Sequence, residues 1–266
     1  MIWSNRLTEF FWYGSITLEW LLCARLLIGA YWRRYPWFTL FVAVLGAESV
    51  VLAVIRLHVD FLYGPVWIFT RGFALLLELL AVIEIFSGWS RNFPGIESFG
   101  RKLFVGLTSV ALAAAASTLP ADATRAGWVF AYQLTSVVNR EIHLLSSVFL
   151  ALMIGFFAYF GGPIAPNLRR HTWLMLWFLS ATCLSYLLTT VSRQFWLADI
   201  LFAAASFSAL IGWLLAFRKG MDRRERKPVS AEEMEEYEAA EALSQKLVRF
   251  GRKITLRGLL GLKKKT

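Results

Sequence analysis

Apolar stretches of about 18 residues or more recur along this chain between short charged loops, and each is long enough to cross a hydrocarbon core of roughly 30 Å as a helix. Of its 266 residues 58% are hydrophobic, and a water-soluble domain of that length could not keep so much apolar surface from solvent. Stretches such as Leu103 to Leu119 are continuously apolar or small. A transmembrane barrel would instead show alternation over segments of about ten residues. The sequence therefore reads as an all-α, polytopic transmembrane helix bundle.

Seven spans are expected, at 14–32, 37–56, 65–88, 102–119, 140–161, 172–192 and 195–217. Cytoplasmic loops carry an excess of Lys and Arg. Arg33 and Arg34 follow the first span, Arg91, Arg101 and Lys102 the third, and Arg169 and Arg170 the fifth; the alternate loops hold fewer. Half of the 28 basic residues lie after Phe217. The expected topology is N-terminus outside and C-terminus inside, with a membrane domain over 1–217 and a basic cytoplasmic tail over 218–266. The first span lacks a basic lead and a small-residue cleavage site, so it is expected to stay in the mature protein. The two cysteines, Cys23 and Cys183, fall near the middle of spans and read as small core residues.

Pro36 is placed to open the second helix, where its missing N–H costs little. Trp12, Tyr13, Trp32 and Trp37 have the amphipathic rings expected at the two bilayer interfaces. The stretch 120–139 is too polar for a clean span and is expected to be an outer amphipathic or re-entrant segment. Its rival is one long helix from about Ala126 to Phe160, some 50 Å at 1.5 Å per residue. Arg33 to Trp37 resembles Arg169 to Trp173, which would fit a parallel repeat of three helices on either side of the fourth.

Ionisable groups inside spans are expensive, so Glu19, Arg25, Glu48, Glu78 and Glu84 are the most informative residues. Read as a unit they form an intramembrane polar network with one carboxylate paired to Arg25. Such a network serves a proton or cation relay, a polar ligand pocket, or an interhelical lock. Arg71 and Glu78, seven apart, share a side of the third helix, but two turns separate their backbones, so direct pairing is not expected and water could bridge them. A second cluster, Arg140, Glu141 and His143, is expected at the outer end of the fifth helix, facing His58 and Asp60. It would bind an anion, or cap the helix end. Its residue types also suit a transition metal or haem, but no ligand spacing is diagnostic, and no metal or cofactor is implied.

In the tail, Ser230 and Glu233 form a capping-box pattern ahead of a helix. Apolar residues at helical spacing lie among Lys246, Arg249, Arg252 and Lys253, followed by Lys263, Lys264 and Lys265. This pattern fits an amphipathic helix resting on anionic lipids, with a protein partner as a further option. Nothing like a base-reading module accompanies the charge, so nucleic acid is not expected.

The seventh span has no lysine to hold retinal, and the chain has no phosphate-binding loop, no His-Glu-x-x-His and no serine nucleophile elbow. The sequence thus gives no support for an enzyme. The turn Arg33 to Phe38, Arg140, Tyr159 and Arg169 to His171 resemble a family of uncharacterised bacterial seven-helix membrane proteins; this chain has Asn139 where the resemblance leads one to expect an acidic residue. The resemblance implies a multi-pass protein of the bacterial inner membrane and no assigned activity. On these grounds a non-enzymatic sensor or signalling protein comes first, ahead of a small-solute or proton-coupled transporter and a structural scaffold.

Overall fold

In the computed structural model the described residues are 2–90, 94–118, 127–159, 164–192 and 195–217, with Ala242 and Lys246 alone in the tail. Among them the chain is all-helical: α1 (Ile2–Ile28), α2 (Pro36–His58), α3 (Tyr63–Ser90), α4 (Pro94–Thr118), α5 (Trp128–Tyr159), α6 (Pro166–Thr190) and α7 (Phe195–Ala216), with short 3₁₀ turns at Tyr31–Arg33 and Asp60–Leu62. Six of the seven helices are long and apolar enough to cross a membrane, and α4 carries a shorter apolar run, Phe104–Ser117. This is the build of a multi-pass membrane protein. Large apolar side chains such as Phe69, Leu152 and Leu215 point outward, as they would toward lipid tails.

Prolines open α2, α4 and α6, where the first N–H has no intrahelical partner to lose. The helix α1 ends where Ala30 takes the left-handed conformation (φ 56°), which frees the chain to turn through Tyr31–Arg33 into α2. Neighbour contacts close a ring: α1 against α2, α2 against α3, α3 against α5, α5 against α6, α6 against α7, and α7 back against α1. The helix α4 packs outside this ring, on α5 and α3. Gly100 allows its approach, since a Cβ there would lie 2.0 Å from Phe86 Cζ.

Three expectations change. The helix α5 starts at Trp128 and runs for 32 residues, about 48 Å, so the long-helix alternative holds for 128–139 in place of an interfacial segment. Of its polar residues Ser136 and Asn139 are buried and Gln133 is exposed, while Tyr132 meets Trp67 of α3 with ring centroids 5.1 Å apart. The helix α6 starts at Pro166, so Arg169 to His171 lie inside its first turns, whereas Arg33 and Arg34 lie in the turn ahead of α2. The two arginine pairs are not structural equivalents, which removes the pattern on which the repeat rested. The third change concerns the second polar cluster and follows from the early start of α5.

Candidate functional site

The ring encloses a cavity of about 1160 Å³. It extends from the α2–α3 turn, where Arg56, Tyr63 and Gly64 line it, down to Phe41, Phe178, Leu210 and Trp213. Glu19, Glu48 and Arg71 lie on its wall with Ser15, Ser49, Tyr186 and Ser206. Each is fixed by its helix. Glu48 Oε1 accepts a hydrogen bond from Thr70 Oγ1 across α2 and α3 at 3.0 Å. Glu19 on α1 faces Ser49 and Glu48 on α2. Arg71 is 5% exposed, lies in electrostatic reach of Tyr186 on α6, and has its guanidinium carbon 5.8 Å from the ring centre of Phe202 on α7. Five of the ring's helices thus meet around three charged side chains.

One turn or two further along, Glu78 and His143 form a buried pair, with Oε1 and Nε2 3.1 Å apart. The His143 ring lies 5.7 Å from that of Tyr186. Tyr186 lies in electrostatic reach of both Arg71 and Glu78.

The cavity ends on aromatic packing. Phe38 lies against His171 (4.3 Å between ring centroids) and Trp213 (4.9 Å), and Tyr31, Tyr35 and Phe217 complete the cluster. Trp213 Nε1 donates to His171 Nδ1 at 3.0 Å, tying α7 to α6. Beyond this floor Arg25 donates to the carbonyl of Phe217 at 2.6 Å, and Arg170 reaches that of Ala216 at 3.4 Å. Cations at the last carbonyls of a helix satisfy acceptors that have no intrahelical donor.

Of the predicted network, Glu19 and Glu48 share the cavity wall, while Glu78 is set apart with a histidine from the other predicted cluster. Arg25 is not the cation of the network: it serves the end of α7, and Arg71 takes that place. Glu84 also leaves it, because Oε1 and Oε2 accept from the backbone N–H groups of Trp37 and Phe38 at 3.2 and 3.1 Å and so cap α2.

The predicted second cluster does not assemble. Because α5 begins twelve residues before Arg140, that segment lies well within the helix and His143 is halfway along it. Arg140 instead donates from Nε and Nη2 to Glu141 Oε1 and from Nη1 to Thr190 Oγ1 (2.9, 2.6 and 3.0 Å), lashing α5 to the end of α6. His58 bonds the Val54 carbonyl of its own helix, and Asp60 lies in the adjoining 3₁₀ turn. Among the described residues no three metal-ligating side chains converge. Of the predicted lipid-contact residues, Lys246 is exposed. Arg249, Arg252, Lys253, Lys263, Lys264 and Lys265 lie outside the described residues.

Tyr186 is absent from the sequence reading, and Arg71 enters it only beside Glu78. Arg71 is 8 residues past the start of α3 and Glu48 is 10 residues before the end of α2 (71 − 63 and 58 − 48), so their matched depth was a usable signal. Tyr186, near the end of α6, reads as one more interfacial aromatic.

No family model, curated protein or solved structure matches this chain.

Proposed function

We propose that this is a ligand-responsive sensor of the bacterial inner membrane, with the His58 end and N-terminus outside and the tail inside. The observation that carries the reading is a charged cavity that stops on packed aromatics instead of running through the bundle. A pocket lined by aromatic side chains with a few convergent polar groups is the usual form of a small-molecule site. Its floor residue Trp213 lies one turn from Phe217, where the described part of α7 gives way to the tail. Occupancy that shifted Trp213 would move the Phe217 carbonyl held by Arg25, and with it the root of the tail. The loop charges that set the topology, and the basic tail as an amphipathic helix on anionic lipid or a partner's docking segment, agree with this direction of signalling.

The test is a melting series of purified protein in detergent against a panel of metabolites, with Arg71→Gln beside the wild type. The reading expects a compound that raises the melting temperature of the wild type and not of the variant. It also expects that deletion after Phe217 abolishes the cellular response and leaves binding intact. Solute counterflow in proteoliposomes that is lost in Glu48→Gln would favour the transporter instead.

A further inference from the structure

Arg71 and Glu48 share one cavity without closing on each other. Among the described residues no ion pair joins them, although each lies in the field of the other. The reason is visible in their neighbours. Thr70 holds Glu48 Oε1, and the Arg71 guanidinium faces Tyr186. The remaining atoms, Arg71 Nε and Nη2, Glu48 Oε2 and Glu19 Oε2, are buried without a hydrogen-bond partner. Leaving such groups unpaired costs far more than pairing them. The cavity wall therefore holds a cation with two unpartnered nitrogens and, beside it, two carboxylates each with an unpartnered oxygen.

We propose that the cavity binds a small zwitterion, with an oxyanion on the Arg71 fork, an ammonium between Glu19 and Glu48, and an apolar body against Phe41, Phe178 and Trp213. The assignment rests on the cavity being a ligand site. A lone cation would leave the Arg71 donors open, and a lone anion would meet two carboxylates. A guanidinium matches planar oxyanions in two-pronged geometry, and aromatic walls suit both the apolar body and the charge of an ammonium. The head chemistry is shared by free amino acids and by phosphatidylethanolamine.

The experiment titrates the full-length protein in nanodiscs with hydrophobic amino acids, each beside its decarboxylated amine and its deaminated acid, and with dihexanoyl phosphatidylethanolamine. The zwitterion should bind about tenfold or more tighter than either singly charged analogue. Arg71→Lys should shrink its advantage over the amine, and Glu48→Gln its advantage over the acid. Each ratio is read within one variant, so a general loss of stability cancels. If either variant fails to fold, Thr70→Val replaces it: releasing Glu48 to close on Arg71 should weaken the zwitterion by a similar factor.

Preference for the phospholipid over the amino acids upholds the head chemistry and assigns its source to the bilayer. An amine or an acid that binds as tightly as the zwitterion overturns the ligand class and leaves the cavity as a ligand site. Absence of binding by every compound, with no melting shift across the wider metabolite panel, overturns the ligand-site reading itself.

Discussion

Nε2 of His143 stands 3.1 Å from Oε1 of Glu78, and both side chains are fully buried between α3 and α5. The other ring nitrogen, Nδ1, faces the backbone carbonyl of Asn139, which can only accept, so Nδ1 carries hydrogen. The Nε2 contact is then a hydrogen bond only if one proton lies between imidazole and carboxylate. A glutamine amide supplies such a donor. Glu78→Gln should therefore cost about 1 kcal/mol, whereas Glu78→Leu, which strands the imidazole, should cost about 3–5 kcal/mol. Melting in detergent measures both. Equal losses would mean that shape alone, not the shared hydrogen, joins the helices.

A second carboxylate works at a helix start. Tyr35 occupies the N-cap position of α2 and makes no side-chain cap, and Pro36 has no N–H to donate. The next two N–H groups, of Trp37 and Phe38, are taken by Glu84 from α3. Glu84→Ala should cost about 1–2 kcal/mol and Glu84→Gln about half as much, since the amide keeps one accepting oxygen. Neither change should alter ligand affinity in the cavity. An altered affinity would return Glu84 to the polar network.

Ala30 holds a φ of 56°, a region that costs an L-residue roughly 1–2 kcal/mol. Glycine removes that cost but enlarges the freedom of the unfolded chain by about 0.4–1 kcal/mol. The two oppose, and the steric gain is the larger, so Ala30→Gly should stabilise the protein by up to about 1 kcal/mol. A lower melting temperature for the glycine variant would show that the α1–α2 turn does not need the left-handed residue.

Much of this architecture was legible because a bilayer restricts a chain to closed backbone hydrogen bonding, which turned long apolar runs directly into helices. The start of α5 was not, since Gln133 and Asn139 look like loop residues, yet Gln133 stays exposed on the helix and Asn139 is buried with its amide on the Thr135 carbonyl. The same limit separated the site residues. Glu19, Glu48 and Glu78 were recognisable as costly buried charges, but depth along a helix does not say which way a side chain points around it. Arg25 and Arg71 both lie within spans, yet Arg25 reaches the end of α7 and only Arg71 enters the cavity. Glu84 looked like a member of the network because a cap provided across space leaves no local sequence pattern.

The Arg140 segment separates two places where a ligand could act. Its side chain, about one-eighth exposed, bonds Glu141 and Thr190, and it is absent from the cavity wall although Thr189 belongs to it. Replacing Arg140 with Met removes two hydrogen bonds to Glu141 within α5 and one to Thr190 of α6, and leaves the Glu141 carboxylate half-buried without its cation. The expected loss is about 1–3 kcal/mol of stability. Because neither Thr70 nor Tyr186 is touched, any compound that binds at Arg71 should keep its affinity within about twofold, a difference of about 0.4 kcal/mol. Calorimetric titration of Arg140→Met, set against its melting curve, measures both quantities. A large loss of affinity with little loss of stability would move the ligand site to the contact of Arg140 with Thr190, and the cavity charges would then serve the packing of the bundle.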